Sequence, residues 1–263
     1  MTGTPLTHQN SRVKEARKLS RRSERTERRL FLVDGPKALE GALSVDGCVV
    51  EVFATAAATA EYAALAAAAP AWTLVDDRAL ASLSDSVTPA GVVALCRFLD
   101  RPLEHVLHRA ARLVTICADV RDPGNAGTVV RTSDAAGADL MVFAGSSVDA
   151  YNPKTVRASV GSIFHLPIAV EADPGHAVRI AQEAGLLVLA ADGAGEVDLY
   201  EADQLLARPT AWLFGNEAWG LPAELADLAD HRVRIPIHGR AESLNLSTAA
   251  ALCLYASARA QRP

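Results

Sequence analysis

Leu113-Val-Thr-Ile-Cys-Ala-Asp-Val-Arg-Asp-Pro-Gly-Asn-Ala-Gly-Thr-Val-Val-Arg-Thr-Ser-Asp-Ala-Ala-Gly137 decides the fold class. It opens with an apolar, β-branched run at 113–117, passes through a polar loop to Gly124, and continues as a helix through Ala136. The same grammar recurs downstream. Strands are predicted at 140–143, 161–166, 186–190, 211–214 and 233–237. Helices are predicted at 152–157, with Pro153 tolerated in the first turn, and at 175–184, 222–228 and 245–260. Strand and helix alternating at these lengths imply a parallel sheet covered by helices on both faces.

Upstream the pattern is shorter. Strands at 30–33, 48–53, 72–75 and 91–96, with helices at 37–44, 59–69 and 77–84, form a small α/β unit. A charged connector follows, with Pro102, His105 and His108. The two histidines lack the acidic company of a metal site and read as exposed linker residues. The expected division is a basic arm at 1–30, a first domain at 31–100, a linker at 101–111 and a second domain at 112–263.

Of the 263 residues half are apolar, 22% are charged and 5% are aromatic, so the chain has an aliphatic globular core and is not disordered. No uninterrupted apolar run reaches the roughly eighteen residues a membrane span needs; the Ala-rich stretch at 54–71 is broken by Glu61 and Pro70. The N-terminus has no apolar core of a secretory leader. Cys48, Cys96, Cys117 and Cys253 are scattered without a CxxC pair, so neither zinc nor a disulfide framework is expected, and the compartment reads as cytoplasmic. The net charge of −5 hides an asymmetry. Nine Lys/Arg face three Glu in residues 1–30, and 17 face 28 acidic residues in the rest. A basic segment on an acidic body is a signature of polyanion binding, with a mixed-charge solvated helix face as the bland alternative.

Three segments resist a purely structural reading. In the first, Asn125 lies near a helix N-cap after a strand, where open α/β sheets bind ligands and helix ends receive anions. The second, Leu213-Phe-Gly-Asn-Glu-Ala-Trp-Gly-Leu221, sets a carboxylate at Glu217 between two glycines, which a plain turn does not need. In the third, beginning at Ile235-Pro236, Ser243, Asn245, Ser247 and Thr248 crowd one helix start where a single cap suffices. No phosphate loop, HExxH or GxSxG motif is present. Asp192-Gly-Ala-Gly195 faintly resembles a dinucleotide glycine loop but lacks the third glycine.

In order and spacing, the three segments resemble the signature motifs of the SpoU/TrmH family of RNA 2′-O-ribose methyltransferases, within the SPOUT superfamily. Asn125, Gly127 and Arg131 match the first motif. Gly215, Glu217, Gly220 and Leu221 match the second. Ile235, Pro236, Ser243, Leu244, Asn245 and Ser247 match the third. The resemblance spans about residues 112–260. The basic helix leading into Phe31-Leu-Val-Asp-Gly-Pro36 is similar to a ribosomal-protein-like substrate-binding domain.

The resemblance implies a SPOUT-type sheet closed by a deep trefoil knot, a homodimer, S-adenosylmethionine as methyl donor, and RNA as substrate, most readily ribosomal RNA. No metal is implied. It places Gly215, Ile235, Leu244, Leu213 and Asn245 around the cofactor. Arg131 takes the catalytic place. A guanidinium stays protonated and offers no acceptor, so its expected role is to grip the neighbouring phosphate bidentately and polarise the hydroxyl, the proton passing to phosphate or water. Asn125, Glu217, Ser243 and Asn245 are expected to hold the arginine, the ribose or the knotted backbone. Arg17, Lys18, Arg21, Arg22 and Arg25 are expected to meet RNA phosphates. Two alternatives stay open: a transfer RNA substrate, or a catalytically silent RNA-binding or ribosome-assembly factor of the same fold.

Overall fold

The structure, a computed structural model, describes residues 4–262. Residues 1–3 of the expected arm, and residue 263 of the expected second domain, lie outside the described residues. Among the described residues the chain divides into two compact units, residues up to 99 with 151–165, and residues 100–150 with those from 166 onward.

In chain order the elements to the end of the first sheet are α1 (Ser11–Lys18), α2 (Arg22–Arg28), β1 (Leu30–Asp34), α3 (Pro36–Leu43), β2 (Val49–Ala54), α4 (Ala56–Glu61), α5 (Ala63–Ala68), β3 (Trp72–Leu74), α6 (Asp77–Leu83) and β4 (Val92–Arg97). Then come α7 (Leu103–Val106), β5 (Leu113–Ala118), α8 (Pro123–Ala136), β6 (Leu140–Ala144), α9 (Pro153–Ser159), β7 (Ile168–Glu171) and α10 (Pro174–Glu183). The chain finishes with β8 (Leu187–Ala191), β9 (Val197–Asp198), α11 (Asp203–Leu206), β10 (Thr210–Phe214), α12 (Ala223–Ala226), β11 (His231–Arg234) and α13 (Leu246–Gln261).

The first unit holds a four-stranded sheet of order β1-β4-β2-β3, antiparallel except for the β2–β3 pair. The basic segment is not an appendage to it. Val13 and Ala16 of α1 are buried against Phe53, Val75 and Leu80, because apolar residues at helical spacing sit among the cations. Arg25 is a correction to the expected RNA-facing set. It is 2% exposed and its guanidinium donates to the carbonyls of Leu19 (2.8 Å) and Ser20 (2.9 Å), satisfying backbone acceptors where the chain turns from α1 to α2. Arg28 pairs with Glu15 (2.9 Å) and Glu24 (2.8 Å), and the side chains of Lys18 and Arg28 draw the Glu15 carboxyl below its ordinary range. Arg17, Lys18, Arg21 and Arg22 remain exposed.

The Ala-rich helix expected at 59–69 is two short helices broken at Tyr62, whose φ of −108° and ψ of 43° leave the helical region. Residues 151–165 also belong to this unit, where Tyr151, Phe31 and Phe164 cluster and the Tyr151 ring stacks on Phe98 at 3.8 Å between centroids. The strand expected at 161–166 is instead a 3-10 turn at Ser162–Phe164.

The second unit is a seven-stranded sheet of order β7-β6-β5-β10-β8-β11-β9, parallel at every pairing. All residues of β5, β6 and β10 are buried, as a sheet covered on both faces requires. Alternation then sorts the side chains by face. Val114, Ile116, Ala211 and Leu213 join α10 residues Ala177, Val178 and Ala181 in one core. On the other face the Thr115 and Ser133 hydroxyls lie 2.8 Å apart, and the Trp212 indole donates to Ser257 of α13 at 2.9 Å. The expected linker is partly core: Leu103, Leu107 and Ala111 are buried in this unit, while His105 and His108 are exposed.

Candidate active site at the strand ends

The second unit carries a cavity of about 480 Å³ at the carboxyl ends of β8, β10 and β11, lined there by Ala191, Phe214 and Val233. That edge of a parallel sheet is where helix-covered α/β folds bind ligands. The three sequence segments converge on it. The first supplies Asn125, in the first turn of α8. The second supplies the 214–220 loop, and the third the chain from Ile235 to Asn245.

Side-chain hydrogen bonds fasten the three together. Glu217 reaches across to the first segment, accepting from the backbone N–H of Arg121 and of Asp122, each at 3.0 Å, and from the Asn125 amide at 3.4 Å. Asn125 in turn accepts from Asn245 Nδ2 at 3.0 Å. Asn245 caps α13, its Oδ1 accepting from the N–H and hydroxyl of Ser247 at 2.9 and 2.7 Å. Glu217 thus satisfies the N–H groups of the N-cap residue of α8 and of the residue before it, and its negative charge sits at the positive end of the helix.

Asn216 adds a second clasp that the sequence reading missed. It is 6% exposed, donates to the Asp119 carbonyl at 2.7 Å and accepts from Ala218 N at 2.8 Å. Asp119 holds a left-handed backbone (φ 55°), and its carboxylate accepts from Ser146 N at 2.7 Å. The only signal of this in the sequence was the Gly-Asn pair, which by itself reads as a turn. Gly215 is forced by space. Its loop closes on itself through reciprocal 2.9 Å bonds between the backbones of Asn216 and Gly220, and a Cβ on Gly215 would lie 2.4 Å from the Gly220 carbonyl.

Of the residues expected here, Asn125, Gly215, Glu217, Ile235, Ser243, Leu244 and Asn245 line the cavity. Leu213 does not. It points into the core shared with α10, and strand alternation gives its neighbour Phe214 the cavity wall. Arg131 lies on the exposed side of α8, outside the cavity lining, with no hydrogen bond or ion pair to a described residue.

The Asp192-Gly-Ala-Gly195 loop also reaches the site, through Asp192 and Gly193, although not as a dinucleotide loop. It leads into the two-residue strand β9 rather than a helix, and Gly195 is small because the Arg232 backbone carbonyl would lie 2.6 Å from a Cβ there. Burial pushes the Cys117 thiol, one residue before the end of β5, far up, which disfavours its thiolate form. Among the described residues one group could hold a metal ion: Glu104, Glu171 and His176. None of these lines the cavity, and His176 bonds Glu171 at 3.0 Å, which raises its pKa.

The geometry can therefore hold a small ligand with apolar walls and close backbone approach, beside a polar cluster at a helix start. Residues 112–255 match the model of the SpoU rRNA Methylase family, and residues 10–94 match an MRM3-like substrate binding domain. The chain is 32% identical over 249 residues to the 23S rRNA (guanosine(2553)-2′-O)-methyltransferase RlmP of Bacillus subtilis (strain 168), covering 94% of this chain and 95% of that one. Among solved structures it is similar to an AdoMet-bound rRNA methyltransferase from Sinorhizobium meliloti, with a TM-score of 0.86, 32% identity and 97% of each chain covered. It is also similar to the SpoU methyltransferase AviRb from Streptomyces viridochromogenes in complex with AdoMet, with a TM-score of 0.83, 29% identity, and 95% of this chain and 98% of that one covered.

Proposed function

The chain belongs to the SpoU rRNA methylase family, and from that membership we propose that it methylates a ribose 2′-hydroxyl of ribosomal RNA with S-adenosylmethionine as donor. The observation that carries this reading is the hydrogen-bonded chain Glu217–Asn125–Asn245, which ties all three motif segments around one cavity.

The residues present fit the donor. A cavity of about 480 Å³ lies in the range of small-molecule sites, which runs to roughly 300–1,000 Å³. Phe214, Ile235 and Leu244 supply apolar wall for an adenine, and the bare backbone at Gly215 allows close approach. Bound there, S-adenosylmethionine supplies a methyl group on a sulfonium, which leaves as a neutral thioether. Asn125, Glu217 and Asn245 hold the first turn of α8 in place, and with it Arg131, which grips an RNA phosphate and polarises the hydroxyl. Arg131 cannot take the proton, so a phosphate oxygen or water does.

The finer parts of the reading rest on further features. A homodimer is supported by the outward side of α13, where Leu252 and Tyr255 are 40% and 53% exposed one turn apart. A second copy there would also account for an Arg131 that stands outside its own cavity lining. A trefoil knot in the tail is supported by the strand order: β10 follows β8 and β9 in the chain yet lies between β5 and β8, and the segment after β11 returns to the cavity. No helix among the described residues is long and apolar enough to cross a membrane, and ribosomal RNA as substrate fits the cytoplasm.

Mapping ribose methylation in ribosomal RNA from cells with and without the protein tests the reading. One methylated ribose is expected to disappear with the protein and to return when purified protein and S-adenosylmethionine are supplied to the undermethylated RNA. An unchanged ribosomal RNA profile sinks it, and a loss confined to transfer RNA turns it to the other substrate.

The exposed cations on α1 and α2 make a second expectation. Deleting residues 1–30 would strip buried Val13 and Ala16 from the core, so charge reversal is the cleaner probe. The pair Arg21→Glu and Arg22→Glu is expected to weaken RNA binding by about tenfold or more at low salt. It should also flatten the slope of log affinity against log salt by roughly 0.7–0.9 for each phosphate no longer neutralised. Filter binding across a salt series measures it; an unchanged slope assigns these residues to something else.

A further inference from the structure

We propose that Glu242 is a charge-discriminating residue of the donor cavity, favouring the cationic sulfonium donor over the neutral thioether that remains after transfer. The inference rests on the proposed function and deepens it.

Among the described residues three carboxylates line the cavity, Asp192, Glu217 and Glu242, and no Lys, Arg or His does. The three are not equivalent. Glu217 has both oxygens engaged by backbone N–H groups at the start of α8. Asp192 accepts from Ala194 N at 2.9 Å and has the Arg232 guanidinium 3.8 Å away. Glu242 forms no hydrogen bond or ion pair with any described residue. His238 and Arg240, the cations of its own segment, are exposed and lie outside the lining. Glu242 is thus the lining carboxylate whose charge no described residue offsets.

The reaction changes one charge inside this cavity. As the bond from the ribose oxygen to the methyl carbon forms, the carbon–sulfur bond breaks and sulfur keeps the electron pair. The hydroxyl proton leaves to phosphate or water. The adenosyl group and the zwitterionic amino acid are the same before and after, so donor and product differ by the methyl group and the positive charge on sulfur. A carboxylate facing the cavity attracts the first and is indifferent to the second. Glu242 is itself exposed at the rim, so solvent screens this preference to about two- to fivefold in affinity.

Isothermal titration calorimetry on the full chain separates this from a merely structural role. The probes are S-adenosylmethionine, S-adenosylhomocysteine, and sinefungin, in which a protonated amine replaces the sulfonium. Glu242→Gln is expected to lower affinity for both cationic probes by about two- to fivefold while S-adenosylhomocysteine moves less than about 1.5-fold, so the donor-to-product ratio falls. Glu242→Asp, which keeps the charge, should keep the ratio. Raising salt should erode the preference of the wild-type protein and leave that of Glu242→Gln little changed. A parallel loss for all three probes overturns the proposal, since it would place Glu242 on the shared part of the ligand or in the fold of the loop; so does an unchanged ratio. If the wild-type protein binds none of the probes, the proposed function itself has failed.

Discussion

Arg131→Ala is expected to lower the methyl-transfer rate by about 10²–10³-fold while donor affinity changes less than about twofold. The split follows from position. Arg131 is exposed on α8, bonds no described residue and does not line the cavity, so its loss should leave the cavity and the core undisturbed. Alanine is also the best helix former, so thermal stability should hold or rise slightly. In the role proposed for Arg131, what would disappear is a bidentate hold on phosphate and a fixed positive charge toward the reacting oxygen. Arg131→Lys keeps the charge without the fork and should recover only part of the rate. Single-turnover kinetics with ribosomal RNA, alongside calorimetry with S-adenosylmethionine, measures both halves. A rate near that of the wild-type protein would remove Arg131 from the mechanism.

Gly215→Ala makes the opposite split, with donor binding failing first. The added Cβ would lie 2.4 Å from the carbonyl carbon and oxygen of Gly220 and 2.6 Å from the N–H nitrogen of Leu221. All three are backbone atoms, so no rotamer change relieves the clash. The loop must move, and its movement strains the reciprocal Asn216–Gly220 bonds and the reach of Glu217 to α8. Overpacking of this kind costs about 1–3 kcal/mol, and donor affinity should fall by more than about tenfold. Gly239→Ala, on the third segment with no atom within 4 Å of its Cβ, is the control and should be nearly silent. Calorimetry and a thermal melt on both variants decide the matter. Normal donor binding by Gly215→Ala would mean that the loop is softer than its packing indicates.

Much of the second unit was legible in the sequence because its signals are local. Apolar runs of strand length alternating with capped helices give a parallel sheet, and each motif segment falls where a strand ends. The failures have physical causes. Leu213, which opens the segment carrying the second motif, is expected at the cofactor, yet strand alternation turns it to the α10 core and gives Phe214 the wall. The strand expected at 161–166 is a 3-10 turn, because an apolar run of that length does not state which partner it will pack on. Residues 1–30 read as a basic arm by charge, although Val13, Ala16 and Leu19 within them repeat at helical spacing and are buried. Net charge describes a segment's surface and says little about the face it hides.

The chain order of residue types settled the alternation of elements, the aliphatic core and the three polar segments, since these depend on neighbours a few positions apart. Only the folded chain could set Asn125 against Glu217 and Asn245, which stand 92 and 120 residues away from it. It alone could bury Arg25 and free Arg131. A hydrogen bond or an ion pair needs two groups within a few ångströms, and for groups so far apart in the chain that distance is fixed by strand order and packing.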